Sequence, residues 1–573
     1  MPENSPEFCR EVAISNDYED FLIEFSSDLD YLIQELNPVC LTQTGARFGV
    51  FYQPRDPNNE RKYLNMYDYN LIPNLFGLLD TTNVEASGVL KVRRQPYLDL
   101  FGNDVIIGFI DTGIDYQNPL FLNADRTTRI VSIWDQTDQT GTPPEGKYYG
   151  TEYTREQINE ALQSDDPLSI VPSTDENGHG TFMAGLAAGG IDSENDFTGI
   201  APNASIVMVK LKESKPYLKE LFGVPQNVIA YSGSDILLAV NYLWSVSRRE
   251  QKPIVVCIGV GSNSGDHTGR STLSSYLNEY ADLGGNCIVV AAGNEGNQAH
   301  HFSGQLTDEN EVMPIEIRVG SDEPGFTLEL WGQLPYLFSV SITSPTGEVI
   351  PRVLAKVQQN ATYKLTFETT QIDVKYNVRE ARTGDEFVFL RFKNPTQGIW
   401  TVNVYADTRG RQTINAWLPM QQFVSKDTYF IRPDPDITIT QPGNTGNVIT
   451  VTAYDHTTDS IYIESGRGLT RDGLQKPDLA APGVNVYGPV GRNQFDVRSG
   501  TSVAVAQAAG ICALVFDWGI IQRNNPYIST LGVKYFLVSG AERSPNMNYP
   551  NNIWGYGTID LYEALNNIRI TSS

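Results

Sequence analysis

Three short segments hold residue types that could carry out nucleophilic chemistry. Ile-Asp-Thr-Gly-Ile-Asp spans 110–115, Asn-Gly-His-Gly-Thr spans 177–181 and Ser-Gly-Thr-Ser-Val-Ala spans 499–504. In that order they offer a carboxylate, an imidazole and a hydroxyl. A hydroxyl attacks a carbonyl poorly until a base takes its proton, and the base works best when a carboxylate fixes its tautomer. Asp111, His179 and Ser502 could fill those three roles. Each alone has a plainer reading: Asp111 as a loop cap, His179 as a core histidine, Ser502 as a helix N-cap.

The surrounding pattern places them. Asp104–Ile110, Ser205–Leu211, Ile254–Val260 and Cys287–Ala292 read as buried strands, with helices predicted over Ser234–Arg249 and Ser271–Leu283. Near-continuous apolar strands between helices imply a parallel sheet covered on both faces, with functional groups at the carboxyl ends of the strands. Asp111 and Asn294 fall just past such ends. Ser502–Asp517 reads as a buried helix whose N-terminus would favour negative charge developing beside Ser502.

The alternation stops near His301. Pro314–Val319, Gly325–Trp331, Tyr336–Ser344, Thr362–Phe367, Asp385–Phe392, Gly398–Ala406 and Thr413–Leu418 are short strand-like runs separated by turns, the pattern of a β-sandwich or jelly roll. Alternating structure resumes at Val448–Tyr454, so the β unit reads as an insertion. At the other end, Tyr18–Leu36 has helical apolar spacing, whereas Glu11–Ile14 and Arg47–Tyr52 alternate like strands, together an α+β unit. The fold class expected is α/β, divided into an N-terminal unit 1–80, core 81–304, inserted β unit 305–440 and core 441–573.

The chain has 573 residues and a net charge of −26, which argues against nucleic acid because phosphate binding needs clustered Lys and Arg. The N-terminus lacks the basic and apolar regions of a signal peptide, and no apolar run approaches the roughly 18 residues of a spanning helix. Cytoplasmic residence, or export by another route, is the corresponding expectation. Cys9, Cys40, Cys257, Cys287 and Cys512 are widely spaced and read as buried small hydrophobes; His267, His300, His301 and His456 read as solvated.

Together the three boxes, in the order Asp…His…Ser, resemble the subtilisin-like (S8) serine proteases. The likeness extends to Ala291-Ala-Gly-Asn-Glu-Gly296, to Lys476-Pro-Asp-Leu-Ala-Ala-Pro-Gly483 and to Gly555-Tyr-Gly-Thr-Ile-Asp560. Phe76-Gly-Leu-Leu-Asp80, Ser132-Ile-Trp-Asp135 and Trp554–Tyr562 are similar to the clostridial Csp germination branch.

The resemblance implies a serine endopeptidase with a three-layer subtilisin-like core, catalytic Asp111, His179 and Ser502, and Asn294 as oxyanion donor with the Ser502 backbone N–H. It implies that Gly259, Val260, Gly261, Ala292 and Gly293 line the substrate, which is a protein or peptide. It makes the N-terminal unit a prodomain bound to its own core and cut between 67 and 82, and the chain a monomer without membrane association. The Csp likeness implies a spore-cortex hydrolase zymogen as target and spore-associated residence; a broader extracellular or gut-type protease is equally compatible with the sequence. No cofactor and no metal ligand is assigned; calcium stays possible for the family, but Leu120-Phe121 after Pro119 and the Asp192–Gly199 loop do not match its strong calcium site. Val503, Ala506 and Gln507 depart from the family's nucleophile box at positions that shape the helix. Competing readings are a Csp-like pseudoprotease acting as a sensor, and a binding protein led by its β unit; the intact triad argues against the first.

Overall fold

A nine-stranded sheet forms the centre of the computed structural model, which describes residues 6–25, 36–55, 69–78, 87–95, 97–355 and 360–571. Across it run Ser460–Ile461, Ile449–Asp455, Asn286–Ala291, Ile254–Ile258, Ile106–Asp111, Ser205–Lys210, Ile130–Asp135 and Thr151–Thr154, with Leu479–Pro482 also on Ile449–Asp455. All neighbours are parallel except the edge strands Ser460–Ile461 and Thr151–Thr154. Side chains alternate across a strand, so each apolar run feeds two cores. Ile107, Phe109, Val255 and Cys257 join one cluster with helices His179–Ala188 and Thr501–Phe516. Ile106, Ile110, Ile254 and Val256 join another with helices Gly233–Glu250 and Thr272–Ala281. This is the three-layer α/β core expected.

Helix Thr501–Phe516 is buried all round. With its continuation to Ile521 it is long and apolar enough to cross a membrane, although most of it is buried in the fold. Its alanines and glycines make it apolar without the long Leu or Ile runs that signal a span in sequence.

Residues 301–430 form two antiparallel sheets. The six-stranded one runs His301–Leu306, Gln412–Trp417, Gly325–Gly332, Glu386–Lys393, Gln371–Asn377, Asn360–Lys364; the five-stranded one runs Val349–Val353, Phe338–Thr343, Gly398–Ala406, Val312–Val319, Tyr429–Phe430. Their inward residues, among them Leu328, Leu390, Val340 and Val402, share one apolar cluster, as facing sheets do.

The N-terminal unit differs from the sequence expectation. Glu11–Ile14 belongs to helix Pro6–Ile14, which buries Cys9, Val12 and Ala13 at helical spacing. Tyr18–Glu24 is a strand, paired with Phe48–Pro54, which in turn pairs with Cys40–Thr44. Phe21 and Ile23 join one cluster and Leu22 the other, so this strand is covered on both faces. Such a strand has no alternation and imitates helical spacing over a short window. Residues 26–35, the middle of the predicted helix, lie outside the described residues.

Cys9 and Cys40 form a disulfide between that helix and the sheet, instead of standing as unpaired hydrophobes; Cys257, Cys287 and Cys512 are free and buried. Three histidines expected to be solvated are not. His267, His300 and His301 are buried, because His267 and His301 stack on Trp417 with centroids 4.0 and 4.7 Å away, and His300 meets Glu295. Burial pulls His267 down to about 3. Their partners lie on distant segments, so polar sequence neighbours mislead.

Candidate active site

Asp111 is the last residue of the central strand Ile106–Asp111, and His179 the first of helix His179–Ala188. Gly178 caps that helix at φ 75°, in the left-handed region glycine favours. Asp111 Oδ1 lies 2.7 Å from His179 Nδ1, and His179 Nε2 lies 3.1 Å from Ser502 Oγ. Ser502 is the second residue of helix Thr501–Phe516. All three side chains are buried. The Thr112 N–H also donates to Asp111 Oδ1 at 2.7 Å, fixing the carboxylate.

Asp175 is a positioning residue that sequence reasoning missed. Its Oδ1 accepts from Thr112 Oγ1 at 2.8 Å and the Gly178 N–H at 3.0 Å; its Oδ2 accepts from the Thr181 N–H at 2.8 Å and Thr181 Oγ1 at 2.7 Å. One carboxylate therefore joins the Asp111 loop to the first turn of the His179 helix. An acidic residue just before that turn was the available signal.

Asn294 follows the strand Asn286–Ala291 and is half-buried. Its Oδ1 accepts from the Thr501 N–H at 3.2 Å and from Thr501 Oγ1 at 3.0 Å, which leaves Nδ2 as the donor not committed to Thr501. The Gly293 N–H also donates to Thr501 Oγ1, at 3.1 Å.

Gly259 lies behind the relay: a Cβ there would come within 3.0 Å of Met183 and 3.4 Å of both Asp111 Oδ2 and the Ser502 Cβ. Cys257, two residues earlier, has its thiol pushed well up by burial, so it stays protonated. Val260 and Gly261 pair antiparallel with Leu78 and Gly77 of the strand Leu75–Leu78, which also pairs with Tyr231–Ser232. An extended segment of the chain thus lies along the residues expected to hold substrate. Ala292 has its N–H on Val451 and its carbonyl on Thr440, so its backbone is committed to the fold. Gly293, at φ 94°, packs against Thr440.

Among the described residues, no group of three or more His, Cys, Asp or Glu is arranged to hold a metal ion. His300 and His301 face different partners: His300 meets Glu295 and the Thr428 carbonyl, whereas His301 meets Asn415 and the Asp434 carbonyl.

Residues 102–321 and 433–557 match the family model described as the subtilase family. Asp111, His179, Asn294 and Ser502 lie within those two stretches. The solved structure of the Clostridium perfringens CspB protease is similar at a TM-score of 0.75 and 32% identity, over 84% of this chain and 98% of that one. Serine protease AprX of Bacillus subtilis is 32% identical over 148 residues, or 22% of this chain and 32% of AprX. Thermitase of Thermoactinomyces vulgaris is 27% identical over 217 residues, or 38% of this chain and 57% of thermitase. The chain therefore matches about a third of AprX and little more than half of thermitase.

Proposed function

The chain belongs to the subtilase family of serine endopeptidases, and from that membership we propose that it hydrolyses peptide bonds through an acyl-enzyme. Ser502 Oγ attacks the carbonyl carbon while His179 Nε2 takes its proton. His179 then returns that proton to the leaving amine, and water repeats the sequence on the ester. Asp111 holds Nδ1–H and stabilises the imidazolium. Asn294 Nδ2 and the Ser502 backbone N–H receive the oxyanion, where helix Thr501–Phe516 begins.

The carrying observation is the pair of contacts that joins the three residues, 2.7 Å from Asp111 to His179 and 3.1 Å from His179 to Ser502. Labelling by a fluorophosphonate probe tests it. The wild type should label at Ser502 and Ser502→Ala should not; an unlabelled wild type that cleaves no peptide overturns the reading.

The N-terminal unit, in this proposal, is a prodomain that its own active site removes. The strand Leu75–Leu78 supports this, since its last residue pairs with Val260, next to Gly259, where a Cβ would lie 3.4 Å from the Ser502 Cβ. The cut then follows Leu78, within residues 79–82 of the expected 67–82 window; residues 67–68 and 79–82 lie outside the described residues. Wild type should yield a shorter chain with a new N-terminus there, and Ser502→Ala should stay full length. On the Csp resemblance of the sequence motifs, the proposed substrate is another proenzyme and the proposed working unit a monomer.

A further inference from the structure

The strand Leu75–Leu78 is held on both edges by the core, yet a residue of the inserted β unit also reaches it. A Cβ built on Gly77 would fall on the side-chain amide of Gln422. Gln422 sits exposed at the cleft rim, in the short helical turn Gln421–Phe423 that follows the strand Gln412–Trp417. That turn is fixed in place. Met420 and Phe423 are buried in the apolar cluster that also holds Ile72 and Leu75. The Gln421 N–H donates to Glu295 Oε1 at 3.1 Å, one residue from Asn294. Asn263 Nδ2, just past Gly261, donates to the Leu418 carbonyl at 2.9 Å.

We infer that the inserted β unit forms a wall of the substrate cleft, and that Gln422 selects glycine at the substrate position opposite Gly261. Phe76, the preceding residue, pairs with Tyr231 and is fully buried, so the preferred class is an extended protein segment with an aromatic residue followed by glycine. A methyl group at the glycine position pushes aside only the flexible end of Gln422. A β-branched side chain also needs the room that the rest of the Gln422 side chain fills, and Met420 and Phe423, buried on either side, keep the turn from drawing back to give it. This inference rests on the cleft reading proposed above.

Peptides that differ only in Gly, Ala or Val at that position test it, on wild type and on Gln422→Ala. The expected kcat/KM favours Gly over Val by at least tenfold in wild type, with Ala between, and the preference shrinks at least threefold in Gln422→Ala. Equal rates for Gly and Val, or a preference that Gln422→Ala leaves unchanged, overturn it. A second measurement does not require hydrolysis. In the full-length Ser502→Ala protein, Gly77→Val should strip hydrogen-exchange protection from the Val260 and Gly261 segment, and added Gln422→Ala should restore it. Unchanged protection in Gly77→Val overturns the inference. If no peptide is cleaved but exchange behaves as expected, the failure belongs to the proposed hydrolysis.

Discussion

Asn294 turns its side-chain oxygen toward Thr501, the residue before Ser502, and accepts from both its N–H and its hydroxyl. The same residue that binds the oxygen of the amide thus aims its nitrogen. Asn294→Ala should lower kcat about 10²–10³-fold, or roughly 2.7–4 kcal/mol of barrier, with little change in KM. Thr501→Val keeps one of the two donors and should lose less. Steady-state kinetics on one peptide gives both numbers; an Asn294→Ala enzyme at full speed would remove Asn294 from the oxyanion site.

Thr440 occupies the space between two segments proposed to flank substrate. A Cβ on Gly261 would meet its Oγ1 at 2.5 Å, and one on Gly293 would meet the same atom. Thr440→Gly should therefore deepen the slot and raise kcat/KM several-fold for peptides with a bulky residue before the cleaved bond. The scale is about 1–3 kcal/mol for each methylene-sized space filled. A peptide set graded by size at that residue checks this; a uniform change across the set would refute it.

Glu386 makes the inserted β unit sensitive to alkali. It is fully buried and accepts from the Phe338 N–H at 2.8 Å, while its Oε1 meets no hydrogen-bond partner among the described residues. Burial pushes its carboxyl up to about 9, from a usual 4.5. Between those values the folded unit holds a proton that the unfolded chain releases, so stability is greatest below about 4.5 and falls as pH rises toward 9. Thermal unfolding from pH 5 to 9 should show that decline, and Glu386→Gln should flatten it.

Asp20 anchors the N-terminal unit to the core. Its carboxylate meets Lys215 at 3.7 Å, Ser232 Oγ at 3.3 Å and Tyr217 OH at 3.3 Å, and also Ser234 Oγ. Burial alone would raise its pKa; Lys215 and Lys212 outweigh this and hold it below the usual carboxylate value. Its contribution is therefore present above about pH 3.8 and lost as pH falls through the lowered folded value. Asp20→Asn leaves Lys215 buried without its countercharge, at a cost of about 3–5 kcal/mol. Hydrogen exchange of Tyr18–Glu24 at neutral pH should accelerate in that variant, and in wild type only in strong acid.

What could be read from sequence was what local pattern encodes. Asp111 follows a run of buried strand residues and Ser502 opens a helix of small residues, so both positions were visible one-dimensionally. The strand Tyr18–Glu24 imitates a helix in sequence because its two faces meet different partners and erase the alternation. Nothing near His267 or His301 in the chain signals their burial, because Trp417, which they sandwich, lies more than a hundred residues away. Thr440 and Gln422 carry no motif, and their positions follow only from strand pairing and from the return path of the inserted unit. Asp175 offers one local signal, its place just before the His179 helix.

That return path has a kinetic consequence. Asn294 and Thr501 are 207 residues apart in the chain. The inserted unit, however, joins its own ends: the Phe430 N–H bonds to the Ala299 carbonyl at 3.0 Å, and the Asp434 N–H to the His301 carbonyl at 2.8 Å. Once those bonds form, about 130 residues drop out of the loop between the oxyanion residue and the nucleophile, which lowers its closure entropy by about 1 kcal/mol. A chain whose β unit folds first should assemble its catalytic centre faster than one in which that unit is cut open.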